Sequence, residues 1–167
     1  MEIAKQFTQV IKENEGIIIK VCSLYTFNPD DRDDLYQEIV YQLWKSFASF
    51  KAKAKLSTWM YRVALNTAIY FLKKEKKAIR TTPLEGSLLQ FAEELNKREE
   101  EKIQLLYQHI QLLSLLERGI ILLYLESKSH EEIAEVMGLT TTNVGTRLSR
   151  IREKLKSQIT KNQESWN

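Results

Sequence analysis

The chain has 167 residues, 43% apolar and 28% charged, with a formal net charge of +3 at pH 7. That length can bury a core without covalent staples. The single cysteine, Cys22, excludes an internal disulfide framework, and with only His109 and His130 beside it the sequence argues against a zinc site. Five glycines and two prolines are too few for the tight turns of a sandwich or barrel. The start, Met1-Glu2-Ile3-Ala4-Lys5, lacks the charged and apolar regions of a secretory leader. The apolar run Ile120–Leu125 is far short of a membrane span. The expectation is a cytoplasmic protein with no membrane insertion.

In chain order, Ile3, Phe7, Val10, Ile11 and Ile18 predict one helix continuing to Leu24. A break follows at Thr26-Phe27-Asn28-Pro29, where Asn28 can cap the next helix. Asp30 and Asp31 then lie near its positive end. Leu35, Ile39, Val40, Leu43, Trp44 and Phe47 repeat at helical spacing, and Ala48 to Lys55 reads as a loop. Ser57 is expected to cap a helix reaching Lys77, with Leu56, Met60, Val63, Thr67 and Phe71 as its core side. Thr81-Thr82-Pro83 ends the first unit, and Pro83, Gly86 and a charge-rich tail mark a flexible linker. Helical pattern resumes near Glu101 and continues through Leu113. A further helix covers Leu115–Leu125, and a last pair flanks Gly138. The predicted fold is all-α: two small helical domains, 1–78 and 103–167, joined by a linker over 79–102.

Charge is segregated along the chain. Residues 30–38 carry −4, residues 51–77 carry +7, residues 85–102 carry −3 and residues 138–161 carry +5. Two basic blocks suit a protein that holds a polyanion at two places. Two merely solvated helix faces would give the same count.

Around Gly138 the spacing is that of a helix-turn-helix. Ala134 is small where two helices must cross, and Gly138 allows a tight reversal. A threonine cluster offers a hydroxyl cap. On the second helix, Val144, Leu148, Ile151 and Leu155 gather on one side. Thr142, Asn143, Thr146, Arg147, Arg150 and Lys154 supply a polar face of the kind that reads a major groove. There Arg bonds guanine, Asn bonds adenine, and Thr touches a methyl or phosphate. The alternative is an ordinary amphipathic hairpin.

The basic helix of the first domain places Trp59, Arg62, Asn66, Tyr70, Lys73 and Lys77 within an arc of about 80°. The loop before it adds Lys51, Lys53 and Lys55. Cations bind phosphate and aromatics stack on unpaired bases, so this face fits opened, single-stranded DNA. A plain packing role for Trp59 and Tyr70 is the competing account. The preceding acidic helix exposes Asp34, Gln37, Glu38 and Tyr41 at spacings of three and four, a face that could dock a basic protein.

Together these pieces resemble the sigma-70 family of bacterial RNA polymerase sigma factors, specifically the two-domain extracytoplasmic-function (ECF) type. Asp33-Asp34-Leu35-Tyr36-Gln37-Glu38-Ile39-Val40 is similar to the family's polymerase-docking helix. Leu56-Ser57-Thr58-Trp59-Met60-Tyr61-Arg62-Val63-Ala64-Leu65-Asn66 is similar to its promoter-melting helix. Leu116-Glu117-Arg118, Tyr124-Leu125 and Ser129-His130-Glu131-Glu132-Ile133-Ala134 resemble its C-terminal domain. The resemblance implies core-polymerase binding through Asp34, Gln37, Glu38 and Tyr41. It implies minus-ten binding through the lysine loop and the Trp59–Lys77 face, and minus-thirty-five binding through the Thr142–Lys154 face. It also implies promoter DNA and an anti-sigma factor as partners, with no cofactor, metal or enzymatic activity.

Three departures stand out. Leu115 or Leu116 replaces a frequent Pro, and the lysine loop lacks the usual Gly. Gly145 replaces a frequent Lys, which removes a phosphate contact and costs the helix about 1 kcal/mol. A stand-alone helix-turn-helix regulator, or a helical polymerase-binding adaptor, is the alternative function.

Overall fold

A computed structural model describes residues 1–75 and 97–164. Among the described residues all regular structure is helical: α1 Glu2–Glu13, α2 Glu15–Tyr25, α3 Pro29–Phe47, α4 Leu56–Glu75, α5 Lys97–Gln111, α6 Leu115–Leu125, α7 His130–Met137 and α8 Thr141–Glu164. The chain divides into two compact units, Met1–Ala78 and Ile79–Asn167. The expected linker lies outside the described residues up to position 96. Beyond it α5 starts at Lys97, earlier than the apolar repeat suggested.

In the first unit α2, α3 and α4 pack on one another, with α1 laid against α3. The single helix expected up to Leu24 is instead two, divided at Asn14 (φ −123°, ψ 20°). The Asn14 side-chain amide donates to the Val10 carbonyl at 2.9 Å, and its backbone N–H reaches the carbonyls of Val10 and Ile11. A short amide side chain that bonds nearby backbone competes with helix propagation. α1 buries Phe7, whose ring meets Trp44 and Phe47 edge-on at 5.1 and 5.3 Å. α2 buries a continuous run from Val21 to Tyr25, because it is covered by both α3 and α4.

α3 starts as its sequence dictates. Asn28 Oδ1 accepts from the Asp31 N–H at 2.8 Å with Pro29 in the first turn. It buries Leu35, Ile39 and Leu43, one per turn. Each such buried leucine or isoleucine contributes about 1.5–3 kcal/mol.

α4 corrects two expectations. Its first helical bond runs from the Trp59 N–H to the Lys55 carbonyl, so Lys55 holds the cap position and Ser57 lies in the first turn. Its core side is Met60, Tyr61, Ala64, Leu65 and Ala68, whereas Leu56, Val63, Thr67 and Phe71 are partly exposed. α4 packs against two helices at once, and the small Ala64 and Ala68 let their backbones approach. Large residues alone mark the wrong stripe here.

In the second unit α6 begins at Leu115 although no proline stands there. Ser114 and Glu117 form a reciprocal capping box, Ser114 Oγ accepting from the Glu117 N–H and the Glu117 carboxylate accepting from the Ser114 N–H. Arg118 is buried, and its Nε donates to the Leu113 carbonyl at 3.0 Å, tying the α5–α6 turn to the core. Ser129 caps α7, which ends at Gly138 in the left-handed region (φ 68°, ψ 38°). Thr140 Oγ1 accepts from the Asn143 N–H at 3.1 Å and opens α8. Val144, Leu148, Ile151 and Leu155 are all buried, completing the helix-turn-helix.

Candidate polymerase and nucleic-acid interfaces

On α3, Asp34, Gln37 and Tyr41 are exposed and Glu38 is partly buried. Gln42 Nε2 donates to Glu38 Oε1 at 2.9 Å, turning the carboxylate along the helix. The Lys45 ammonium lies 5.4 Å from the centre of the Tyr41 ring. On α4, Arg62, Asn66, Tyr70 and Lys73 are exposed, Tyr70 by 67%. A groove of about 620 Å³ is lined by Glu38 and Gln42 of α3 and by Asn66, Tyr70, Phe71 and Lys74 of α4. One residue that the sequence assigned to the polymerase, Glu38, therefore shares a groove with two assigned to DNA, Asn66 and Tyr70. Gln42 and Lys74 do not stand out in the sequence, and Phe71 reads there as core, because one helix considered at a time does not show what faces it.

Trp59 differs from Tyr70. The Phe50 ring stacks on its indole at 4.7 Å and Phe47 approaches at 6.3 Å. The packing account fits Trp59, while Tyr70 stands open. Lys51, Lys53 and Lys55 are exposed on the loop, where Ala52 has φ +54°. Lys77 lies outside the described residues.

On α8, Thr142, Asn143, Thr146 and Arg150 are exposed and Arg147 is partly buried. Arg147 Nε donates to Asn143 Oδ1 at 2.6 Å, and the Thr146 hydroxyl donates to the Thr142 carbonyl at 3.1 Å. Lys154 is on the same helix but pairs with Glu117 Oε1 of α6 at 3.2 Å. Gly145 borders His130 rather than open solvent: a Cβ there would stand 3.8 Å from the imidazole. Leu106, Tyr124, Leu125, Leu148, Arg152 and Lys156 help line a groove of about 570 Å³ in the same unit. Arg152 lies over the Tyr124 ring there, 5.6 Å from its centre.

Two strongly shifted groups lie away from these faces. Burial pushes the Cys22 thiol up to about 12. Burial, with a hydrogen bond to Glu15 at 2.9 Å, pushes the Tyr36 phenol up to about 12. Among the described residues no group of three or more His, Cys, Asp or Glu is placed to hold a metal ion. None of the described helices is long and apolar enough to cross a membrane.

Comparison with known proteins matches these units to two family descriptions. Sigma-70 region 2 covers residues 10–78, and Sigma-70, region 4 covers residues 103–155. RNA polymerase sigma factor SigV of Bacillus subtilis (strain 168) is 32% identical over 152 residues, covering 90% of this chain and 89% of that protein. The ECF RNA polymerase sigma-E factor of Haemophilus influenzae is 26% identical, covering 93% and 88%. Among solved structures, the sigma factor RpoE in complex with the anti-sigma factor NepR from Bartonella quintana shares the fold. Its TM-score is 0.72 at 19% identity, covering 93% of this chain and 98% of that one. CnrH in complex with the cytosolic domain of CnrY gives 0.66 at 20% identity, covering 94% and 89%.

Proposed function

This chain belongs to the sigma-70 family as an ECF sigma factor that directs RNA polymerase to promoters, and from that premise we propose how its residues divide the work. Asp34, Gln37, Glu38 and Tyr41 of α3 dock on core polymerase. Arg62, Asn66, Tyr70 and Lys73, with the lysine loop, hold the opened strand of the minus-ten element. Thr142, Asn143, Thr146, Arg147 and Arg150 engage the minus-thirty-five element. The protein acts in the cytoplasm, carries out no covalent chemistry, and is held inactive by an anti-sigma factor. This last point is supported by its likeness to the sigma factor RpoE, solved in complex with the anti-sigma factor NepR.

The observation that carries the division is the 67% exposure of Tyr70 among cations on α4. Opening DNA costs about 1.4 kcal/mol per stacking step. Stacking a base on an aromatic ring returns about 1–3 kcal/mol. An exposed ring flanked by Arg62, Asn66 and Lys73 offers that return together with phosphate contacts. Two DNA contacts on one chain reinforce each other by effective concentration, so each can be weak alone; the minus-ten contact needs an opened strand, and the isolated protein is expected to bind duplex DNA poorly.

The test is stoichiometric co-elution of the purified protein with core RNA polymerase, beside the variant Asp34→Ala/Gln37→Ala/Glu38→Ala. Co-elution that the folded variant loses supports the docking assignment. Equal co-elution of both removes it. Nanomolar, sequence-specific duplex binding without polymerase would instead favour a stand-alone regulator.

A further inference from the structure

We propose that Asn143 does not read a base of its own but positions Arg147, and that the pair together selects a single guanine. This rests on the reading of α8 as the minus-thirty-five helix. Arg147 Nε donates to Asn143 Oδ1 at 2.6 Å, one helical turn apart. The amide orientation is fixed by chemistry, since Nε–H is a donor and only the oxygen of the amide can face it. One of the two lone pairs on the oxygen that would accept from an adenine amino group is therefore taken by Arg147, which also turns that oxygen toward the guanidinium. The Asn143 backbone is anchored at the start of the helix, where its N–H donates to Thr140 Oγ1.

With Nε engaged, the guanidinium keeps its four Nη–H donors, and the Asn143 Nδ2 adds two more. The pair then presents six N–H donors against the one lone pair left on Asn143 Oδ1. In the major groove guanine shows two acceptors, N7 and O6, whereas adenine shows an acceptor beside a donor. An end-on guanidinium matches the first pattern and meets a like donor on the second. The position suits this task, because residues in the first turns of a recognition helix are those that reach base edges, and α8 begins at Thr141. The pair is preformed in the free protein, so less side-chain freedom is lost on binding than for two independent side chains.

The experiment uses polymerase reconstituted with the full chain, on a promoter found by run-off transcription from genomic fragments. Its minus-thirty-five element is randomised, and the transcribed templates are sequenced. Wild type is compared with Arg147→Ala, Asn143→Ala and Asn143→Asp, each first shown to melt like wild type. We expect wild type to select one G·C pair by roughly tenfold, the scale of one bidentate contact. Arg147→Ala and Asn143→Ala should both flatten that same base pair and no other. Asn143→Asp, which keeps an acceptor for Nε, should retain the selection. Relaxation of a second base pair in Asn143→Ala overturns the proposal, as does full retention of the guanine in that variant. Wild-type polymerase that transcribes without any upstream selection overturns the reading of α8 itself.

Discussion

The Phe50 ring lies over the Trp59 indole, centroids 4.7 Å and planes 28° apart, and so fastens the α3–α4 loop to the first turn of α4. Phe50 covers one face of the indole from within the chain, while Tyr70 is exposed. The two aromatics should therefore fail differently. Tyr70→Ala is expected to leave thermal stability within about 0.5 kcal/mol, as for a surface substitution. It should lower promoter opening, read by permanganate reactivity of unpaired thymines, by the roughly tenfold or more that one lost stack implies. Trp59→Ala should instead destabilise the chain by about 2–3 kcal/mol through lost ring packing. Comparable loss of opening in both, with stability unchanged, would return Trp59 to the DNA face.

Ala52 sits two residues beyond Phe50 with φ +54°, a left-handed conformation that an L-residue adopts at a cost of about 1–2 kcal/mol. Glycine bears no such cost there, though it loses more entropy on folding. Ala52→Gly is expected to stabilise the chain by about 0.5–1 kcal/mol in urea unfolding, and Ala52→Val to destabilise it by a similar amount. A lower midpoint for the glycine variant would show that the loop is not held in this conformation in solution.

Much of this was legible in the sequence, and the failures share a cause. Asn28, Gly138 and the Val144–Leu155 stripe were readable because each acts within one helix or one turn. The break at Asn14 was hidden because the apolar repeat runs on past an amide that competes for carbonyls. The core side of α4 was misread because alanines at a helix crossing carry little hydropathy signal but decide how closely helices approach. The Ser114–Glu117 capping box is visible as a Ser-x-x-Glu spacing and starts the helix without a proline. At the interfaces, the exposed faces of α3, α4 and α8 followed from spacing. The shared groove of Glu38 and Asn66, and the diversion of Lys154 to Glu117, are contacts between helices that periodicity cannot reveal.

Gly138 and Gly145 should respond in opposite directions to the same change. At Gly138 an added Cβ meets nothing within 4 Å, so Gly138→Ala suffers from its φ of +68° alone. A loss of about 1–2 kcal/mol is expected. At Gly145, inside α8, a Cβ would make ordinary contact with the His130 ring. Gly145→Ala should gain up to about 1 kcal/mol of helix propensity. Thermal unfolding of the two variants under one condition reads both signs. A loss at Gly145 would mean the α7–α8 packing is tighter than the 3.8 Å contact indicates.

Cys22 and Tyr36 predict alkaline sensitivity of the first unit. Both pKa values rise to about 12, from ordinary values of 9.0 and 10.0, chiefly through burial. The folded chain thus holds these protons more tightly than the unfolded chain. The associated stability is fully present below pH 9 for the thiol and pH 10 for the phenol, and is lost as pH climbs toward 12. Tyr36→Phe removes the phenol and should flatten the upper part of that decline, while giving up the exposed hydrogen bond to Glu15. At pH 8 the buried thiol should resist Ellman's reagent until urea unfolds the chain. Rapid labelling of the folded protein would contradict the burial of Cys22.

Lys154 and Arg150 lie on the same basic helix, but Lys154 is already paired with Glu117 at 3.2 Å. Each phosphate contact steepens the salt dependence of binding by about one unit of slope. Arg150→Ala should therefore lower the slope for promoter binding by the polymerase complex by about one. Lys154→Ala should lower it by less, because its ammonium must leave a carboxylate to reach DNA. Glu117→Gln separates the two jobs of that carboxylate: glutamine can still serve the capping box with Ser114, but it no longer holds the ammonium as a counter-ion. In that background Lys154→Ala should cost as much slope as Arg150→Ala does in wild type. If the Lys154 effect is the same with and without Glu117, the pair does not restrain the lysine and both cations contact DNA alike.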